Sequence, residues 1–266
     1  MLRAPTNRRE RVLVFGPPGS GKSSCWVAWA DYLVRTKSPD KVYVLDTDHA
    51  YEAMYDEAFD ETVVVYDADP NDFGKWGAIL REVRQKVTKD DLLVCDMVDQ
   101  AWVGAQQHYW GALSGGDSLG EVFLRAEMED DFNTSGDHGK HWGNINRSYN
   151  DFMSLLMNVP CHVMCCSPSQ EVMLDKRSGL AINRDQQEWV KFKFKPAGQK
   201  RLAHAFHTVL LAREVPSDRG SEWQLTTVKE RGPIGREKRV ELRGATVPAT
   251  MGFVGAYLIK VAGWRL

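Results

Sequence analysis

Short uninterrupted apolar runs alternate along the chain with longer segments whose apolar residues recur every three or four positions. Runs at 11–15, 41–46, 62–66, 91–96 and 160–167 are strand-sized, among them Val12-Leu-Val-Phe15, Val63-Val-Val65 and Leu92-Leu-Val-Cys95. Between them the spacing predicts helices at about 22–36, 50–58, 72–88 and 143–158. The last shows its period clearly, because Ile145, Tyr149, Phe152, Met153 and Leu156 fall on one face. Continuous apolar strands alternating with helices predict an α/β fold with a mostly parallel central sheet flanked by helices. After residue 205 the pattern changes to short strands at 207–213, 222–229 and 238–243, which read as antiparallel C-terminal strands, and a last apolar segment at 251–262.

Residues 1–10 have no periodicity and carry Arg3, Arg8 and Arg9, so they read as a flexible basic arm before a single domain at 11–266. Two segments interrupt the alternation. The stretch 103–141 is rich in Gly, Asp and His, encloses a short amphipathic piece from Glu121 to Met128, and reads as a long loop. The stretch 170–198 contains the turn signal Asp175-Lys-Arg-Ser-Gly179, then Trp189-Val-Lys-Phe-Lys-Phe-Lys195, whose period of two reads as a β-hairpin.

The chain has 266 residues, 34 Lys+Arg against 36 Asp+Glu, and a formal charge of -2. That balance excludes a disordered polyelectrolyte and a protein that binds nucleic acid through overall charge, so any such binding needs local positive charge. No apolar run approaches the roughly 20 residues of a membrane span, and none follows the basic N-terminus as a signal peptide would. The expectation is a cytoplasmic protein with no membrane partner. Cys25, Cys95, Cys161, Cys165 and Cys166 sit in apolar or helical segments and read as reduced, buried thiols. The cluster of Cys161, His162, Cys165 and Cys166 lacks the second ligand pair of a zinc finger.

The most specific motif is Gly16-Pro17-Pro18-Gly19-Ser20-Gly21-Lys22-Ser23, followed by Ser24, which fits G-x-x-x-x-G-K-[ST] at every fixed position. It follows a predicted strand and opens a predicted helix, as a phosphate-binding loop must. Glycines let backbone N–H groups turn inward around a triphosphate, and the helix N-terminus adds partial positive charge. Lys22 is expected to contact the β- and γ-phosphates of ATP, and the Ser23 hydroxyl to ligate Mg²⁺. Asp96 ends the apolar run Asp91-Leu-Leu-Val-Cys-Asp96 and fits the second metal-site position, with Asp99 a lesser candidate.

These residues resemble the RecA-type P-loop ATPase core, in particular the compact RecA-like ATPases and single-strand annealing proteins of bacteriophages. Val44-Leu-Asp-Thr-Asp-His-Ala50 is similar to the segment in which an acidic residue before His-Ala activates the attacking water. The resemblance thus implies Asp48 as catalytic base, where the family usually has Glu; a carboxylate at a strand's end beside a phosphate loop can orient water, and the N-cap of the following helix is the alternative. Val159-Pro-Cys-His-Val-Met-Cys-Cys-Ser167 resembles the strand that ends in a polar sensor of the γ-phosphate, which implies Ser167 or Gln170 in that role. Thr226-Thr-Val-Lys229-Glu-Arg231 resembles the strand whose basic residues reach a neighbouring subunit's ATP, which implies Lys229 and Arg231 as trans-acting fingers in a homo-oligomeric filament or ring. A solvated basic strand end is the alternative.

In RecA-like proteins the loops after the fourth and fifth strands hold single-stranded DNA, and these correspond to the two long interruptions. The second carries Lys176 and Arg177, then Lys191, Lys193 and Lys195, which on a strand would share one face while Phe192 and Phe194 share the other. An amphipathic hairpin packing its phenylalanines on the core accounts for the pattern equally well. The expectation is an Mg²⁺-dependent, DNA-stimulated ATPase acting on single-stranded DNA in recombination, strand annealing or replication, of phage origin. The alternatives are a helicase or DNA-packaging motor of related core, and a nucleotide-switched scaffold with little turnover.

Overall fold

The structure, a computed structural model, describes residues 9–114, 138–175, 177–218, 220–230 and 246–248. Its centre is a sheet of strands β1 (Arg11–Gly16), β2 (Val42–Asp46), β3 (Val63–Asp67), β4 (Leu92–Asp96), β5 (His162–Glu171), β6 (Phe194–Pro196), β7 (Thr208–Ser217), β8 (Gly220–Glu230) and β9 (Thr246–Pro248). The order across the sheet is β3-β2-β4-β5-β1-β7-β8-β9, with β6 pairing the end of β5. From β3 to β7 every neighbouring pair is parallel, while β8 is antiparallel to both β7 and β9. The helices are α1 (Lys22–Thr36), α2 (Phe73–Lys86), α3 (Gln100–Ser114) and α4 (His138–Met157).

The apolar runs are continuous because both sheet faces are covered. Leu13 and Phe15 of β1, Leu93 and Cys95 of β4, and Val163 and Cys165 of β5 point into one core, shared with α2 and α4. Their neighbours Val12, Val14, Leu92, Val94, Met164 and Cys166 point into the other, which is closed by Cys25, Trp26, Trp29, Ala30 and Leu33 of α1. All five cysteines are buried free thiols, and burial pushes Cys161 up to about 12.

At the N-terminal edge of the sheet the buried Arg11 guanidinium donates to four carbonyls: Met157 at 3.0 Å, Glu10 at 2.9 Å, Cys161 at 2.7 Å and Val159 at 2.8 Å. It thereby ties the end of α4 and the entry to β5 onto β1, a cation placed where the last carbonyls of a helix need donors.

Three predicted elements differ. The expected helix at 50–58 is instead a pair of 3-10 turns, Ala50–Met54 and Glu57–Phe59. Asp46 accepts from the amides of Ala50 and Tyr51, and Asp56 from that of Ala58, so carboxylates take amides that a longer helix would need. The expected loop from 103 is helical as far as Ser114, and α4 begins at His138. Ala101 and Ala105 face the core, and Gly104 lets α3 pack against the Pro70 carbonyl and the Phe73 ring. In the second interruption the end of β5, Gln170 and Glu171, pairs antiparallel with β6 as a hairpin would, but Arg184–Phe192 is a 3-10 helix rather than strand. Trp189 and Phe192, three residues apart, are thereby buried on one face, with Trp189 meeting Phe15 edge-on at 5.7 Å. The 175–179 turn forms as expected, closed by the Gly179 amide on the Asp175 carbonyl. The basic arm up to residue 8, the 121–128 piece, the predicted strand at 238–243 and the apolar segment at 251–262 lie outside the described residues.

Candidate nucleotide site

β1 leads directly into the glycine-rich loop. A side chain at Gly16 would collide with the Ala212 carbonyl of β7 and the Ser20 hydroxyl, and Gly19 and Gly21 adopt left-handed φ values of 74° and 80°. Gly21 is the N-cap of α1, no side chain caps that terminus, and its first turn holds no acidic residue. The first amides of a 15-residue helix are therefore available to an anion at its positive end. Lys22 is buried beneath the loop, where its Nζ donates to the Pro17 carbonyl at 2.9 Å, and the buried Ser20 Oγ has no hydrogen-bond partner.

Asp96 ends β4, which β5 alone separates from β1 in the sheet. Its Oδ2 accepts from Trp26 Nε1 at 2.8 Å. Burial pushes the Asp96 carboxyl up, while Trp26, Ser23 and Cys166 hold it down, so the Ser23 hydroxyl and this carboxylate share one site. A hydroxyl beside a carboxylate, both hard oxygen donors, is a donor set that fits Mg²⁺.

A family model described as an AAA domain matches residues 8–238. The chain belongs to this AAA domain family. No curated protein matches the chain. As an AAA domain it is a P-loop nucleotide-binding ATPase, and its α/β architecture with a mostly parallel sheet is the fold expected from the sequence.

Around Lys22 this AAA domain gathers more carboxylates than the motifs identify. Asp46 and Asp96 are register partners at the ends of β2 and β4. Asp48 lies at the exposed rim, its carboxyl pushed up by partial burial, then by Asp96 and Asp46, and held down by the Ala50 amide. Asp99 is pushed up to about 6 by burial and by Asp48, against the attraction of Lys22. Capping of the turn after β2, which Asp48 could have supplied, falls chiefly to Asp46, whose two oxygens accept from Ala50 and Tyr51. Among the described residues no group of three or more His, Cys, Asp or Glu side chains is arranged to hold a metal.

The remaining expected site residues are dispersed. Lys229 is half-buried, with its Nζ donating to the Ala203 carbonyl at 2.6 Å, and Arg231 lies outside the described residues, as does Lys176. The buried Ser167 hydroxyl donates to the carbonyls of Pro168 and Ala197, while Gln170 is exposed and accepts from Lys195 at 2.8 Å. Lys191, Lys193 and Lys195 do not share a strand face, which corrects the period-two reading. Lys191 is in the 3-10 helix with its amine over the Phe192 ring at 4.7 Å, Lys193 is left-handed at φ 64°, and Lys195 is in β6. Arg177, Lys191 and Lys193 are exposed. Among the described residues no helix is long and apolar enough to cross a membrane.

The motifs did not identify Trp26, Asp46 or Trp223. Trp26 stands four residues after Lys22, a spacing that keeps it on the same side of α1, but its Asp96 partner is 70 positions away.

Proposed function

We propose that the protein is an Mg²⁺-dependent ATPase of the RecA-like type that acts on single-stranded DNA, with ATP sites shared between subunits of a filament or ring. The observation that carries the ATPase reading is the convergence of a wound glycine loop, the buried Lys22 and the Ser23–Asp96 pair at one end of the sheet.

The loop amides and α1 would bind the triphosphate, and Lys22 would exchange its bond with the Pro17 carbonyl for one to phosphate oxygens. Ser23 and Asp96 would hold Mg²⁺, which when bound offsets charge on the phosphates. Asp48, at the rim with a carboxyl inclined to hold a proton, would orient the attacking water and accept its proton. Lys229 would leave the Ala203 carbonyl to reach a neighbour's ATP, together with Arg231.

Support for a single-strand partner comes from exposed Arg177, Lys191 and Lys193 after β5, and from Trp142, 43% exposed and stacked on Trp102 with ring centres 6.2 Å apart. Phosphate release measured with and without single-stranded DNA at low salt tests this reading. Stimulation supports it, and neither binding nor stimulation refutes the DNA partner while leaving the ATPase standing. A mixture of Lys22→Ala and Arg231→Ala proteins regains activity if sites are shared, and stays inactive if they are not.

The exposed position of Asp48 and its contact with the Ala50 amide favour one second reading, a nucleotide-switched scaffold that turns over slowly. Asp48→Glu separates the two: faster hydrolysis supports a base at this position, and no gain supports the switch.

A further inference from the structure

The nucleotide loop is held from outside by a residue distant in sequence. Trp223 of β8 reaches over β7 and donates its indole N–H to the Gly19 carbonyl at 2.9 Å. Its ring also lies against Gly21, where an added Cβ would sit 3.4 Å from Trp223 Cδ1 and Cγ. Gly19 and Gly21 are the two loop residues with left-handed φ. One contact therefore engages both of the positions whose unusual backbone winds the loop. The ring is otherwise 46% exposed, so core packing does not account for its placement.

We propose that Trp223 is a positioning residue for nucleotide binding, which keeps the loop wound before the phosphates arrive. The inference rests on the ATP-binding reading of this site. Glycine takes up left-handed backbone without steric cost but loses the most conformational freedom when fixed there, and a row of inward-facing amides is costly to hold without its anion. A donor on the outward Gly19 carbonyl and a flat ring against Gly21 restrict the loop to the wound form, so less order remains to be imposed when the triphosphate binds. The second self-contact, Lys22 on the Pro17 carbonyl, uses a group needed by the ligand, whereas the Trp223 contact uses the Gly19 carbonyl, an acceptor that an anion does not need, and can persist.

Trp223→Ala and Trp223→Phe in the full chain test this by titration calorimetry with ATP and ADP, alongside the saturating rate of phosphate release. Loss of the bond and the ring together is expected to raise the Kd of both nucleotides about tenfold, and loss of the N–H alone about threefold. The saturating rate should change far less than the Kd, a split that general loosening of the fold would not produce. If Trp223→Ala is not folded, Trp223→Phe decides, and wild-type affinity in the folded variant overturns the proposal. A wild-type protein that binds neither nucleotide overturns the nucleotide site itself; wild-type binding with unaltered variants overturns only the role of Trp223.

Discussion

Trp26, on the first turns of the helix that follows the glycine loop, donates its indole N–H to Asp96 Oδ2 at 2.8 Å. The bond joins the two halves of the candidate site, because α1 carries Lys22 and Ser23 while β4 carries the carboxylate. It also stacks Trp26 over Tyr51 of the turn after β2, with ring centres 6.1 Å apart, so one side chain spans three elements.

Trp26→Phe keeps most of the ring and removes the donor from a buried carboxylate. Stability should fall by about 1–3 kcal/mol, the usual cost of losing a hydrogen bond to a charged group. Urea unfolding at constant m-value reads this directly. Hydrolysis should fall as well, since Asp96 loses the contact that fixes its orientation. An unchanged unfolding midpoint would contradict the role given to this bond.

Asp99 carries a pH signature. Its folded-state value of about 6 lies above the ordinary 3.8, so the folded state binds the proton more tightly than the unfolded state between those values. Stability from this group is therefore greatest below about pH 4 and is lost as pH rises through 6. Asp99→Asn should be more stable than the parent at pH 7 by about 1–3 kcal/mol, and the gap should close on acidification from pH 7 to pH 4. A gap that widens on acidification would reverse the sign and exclude a destabilising buried charge at this position.

Arg11 stands at the opposite end of β1 from the glycine loop. Arg11→Met should cost about 2–4 kcal/mol by leaving four backbone carbonyls without their shared donor. Because the glycine loop begins at Gly16, at the other end of β1 from Arg11, ATP affinity of the folded variant should match the parent. Chemical denaturation and calorimetry on the same samples separate the two effects.

What the sequence made legible is what depends on local pattern. The bounds 22–36 for α1 coincide with the helix found, since Gly21 stops the chain at one end and the apolar period runs out at the other. The strands β1, β2, β4 and β5 were legible because a short apolar run buried on both faces fits the interior of a covered parallel sheet, and the half-exposed edge β3 because of its run of valines. The turn after β2 was not, because Asp46 caps it only once β2 and β4 have placed that carboxylate. The lysines at 191–195 misled for a related reason: burying Trp189 and Phe192 together favours a spacing of three over the alternation of two. Trp223 and Gly19 are 204 positions apart, and no local pattern links them.

The most direct test of the central claim is Mg²⁺-dependent phosphate release from ATP by the full chain and by Lys22→Ala, with circular dichroism on both. The account predicts ATP binding and turnover by the parent, and loss of both in a variant that keeps its fold, since Lys22 would supply the charge that meets the phosphates. A folded Lys22→Ala protein that releases phosphate at the parent's rate would contradict it.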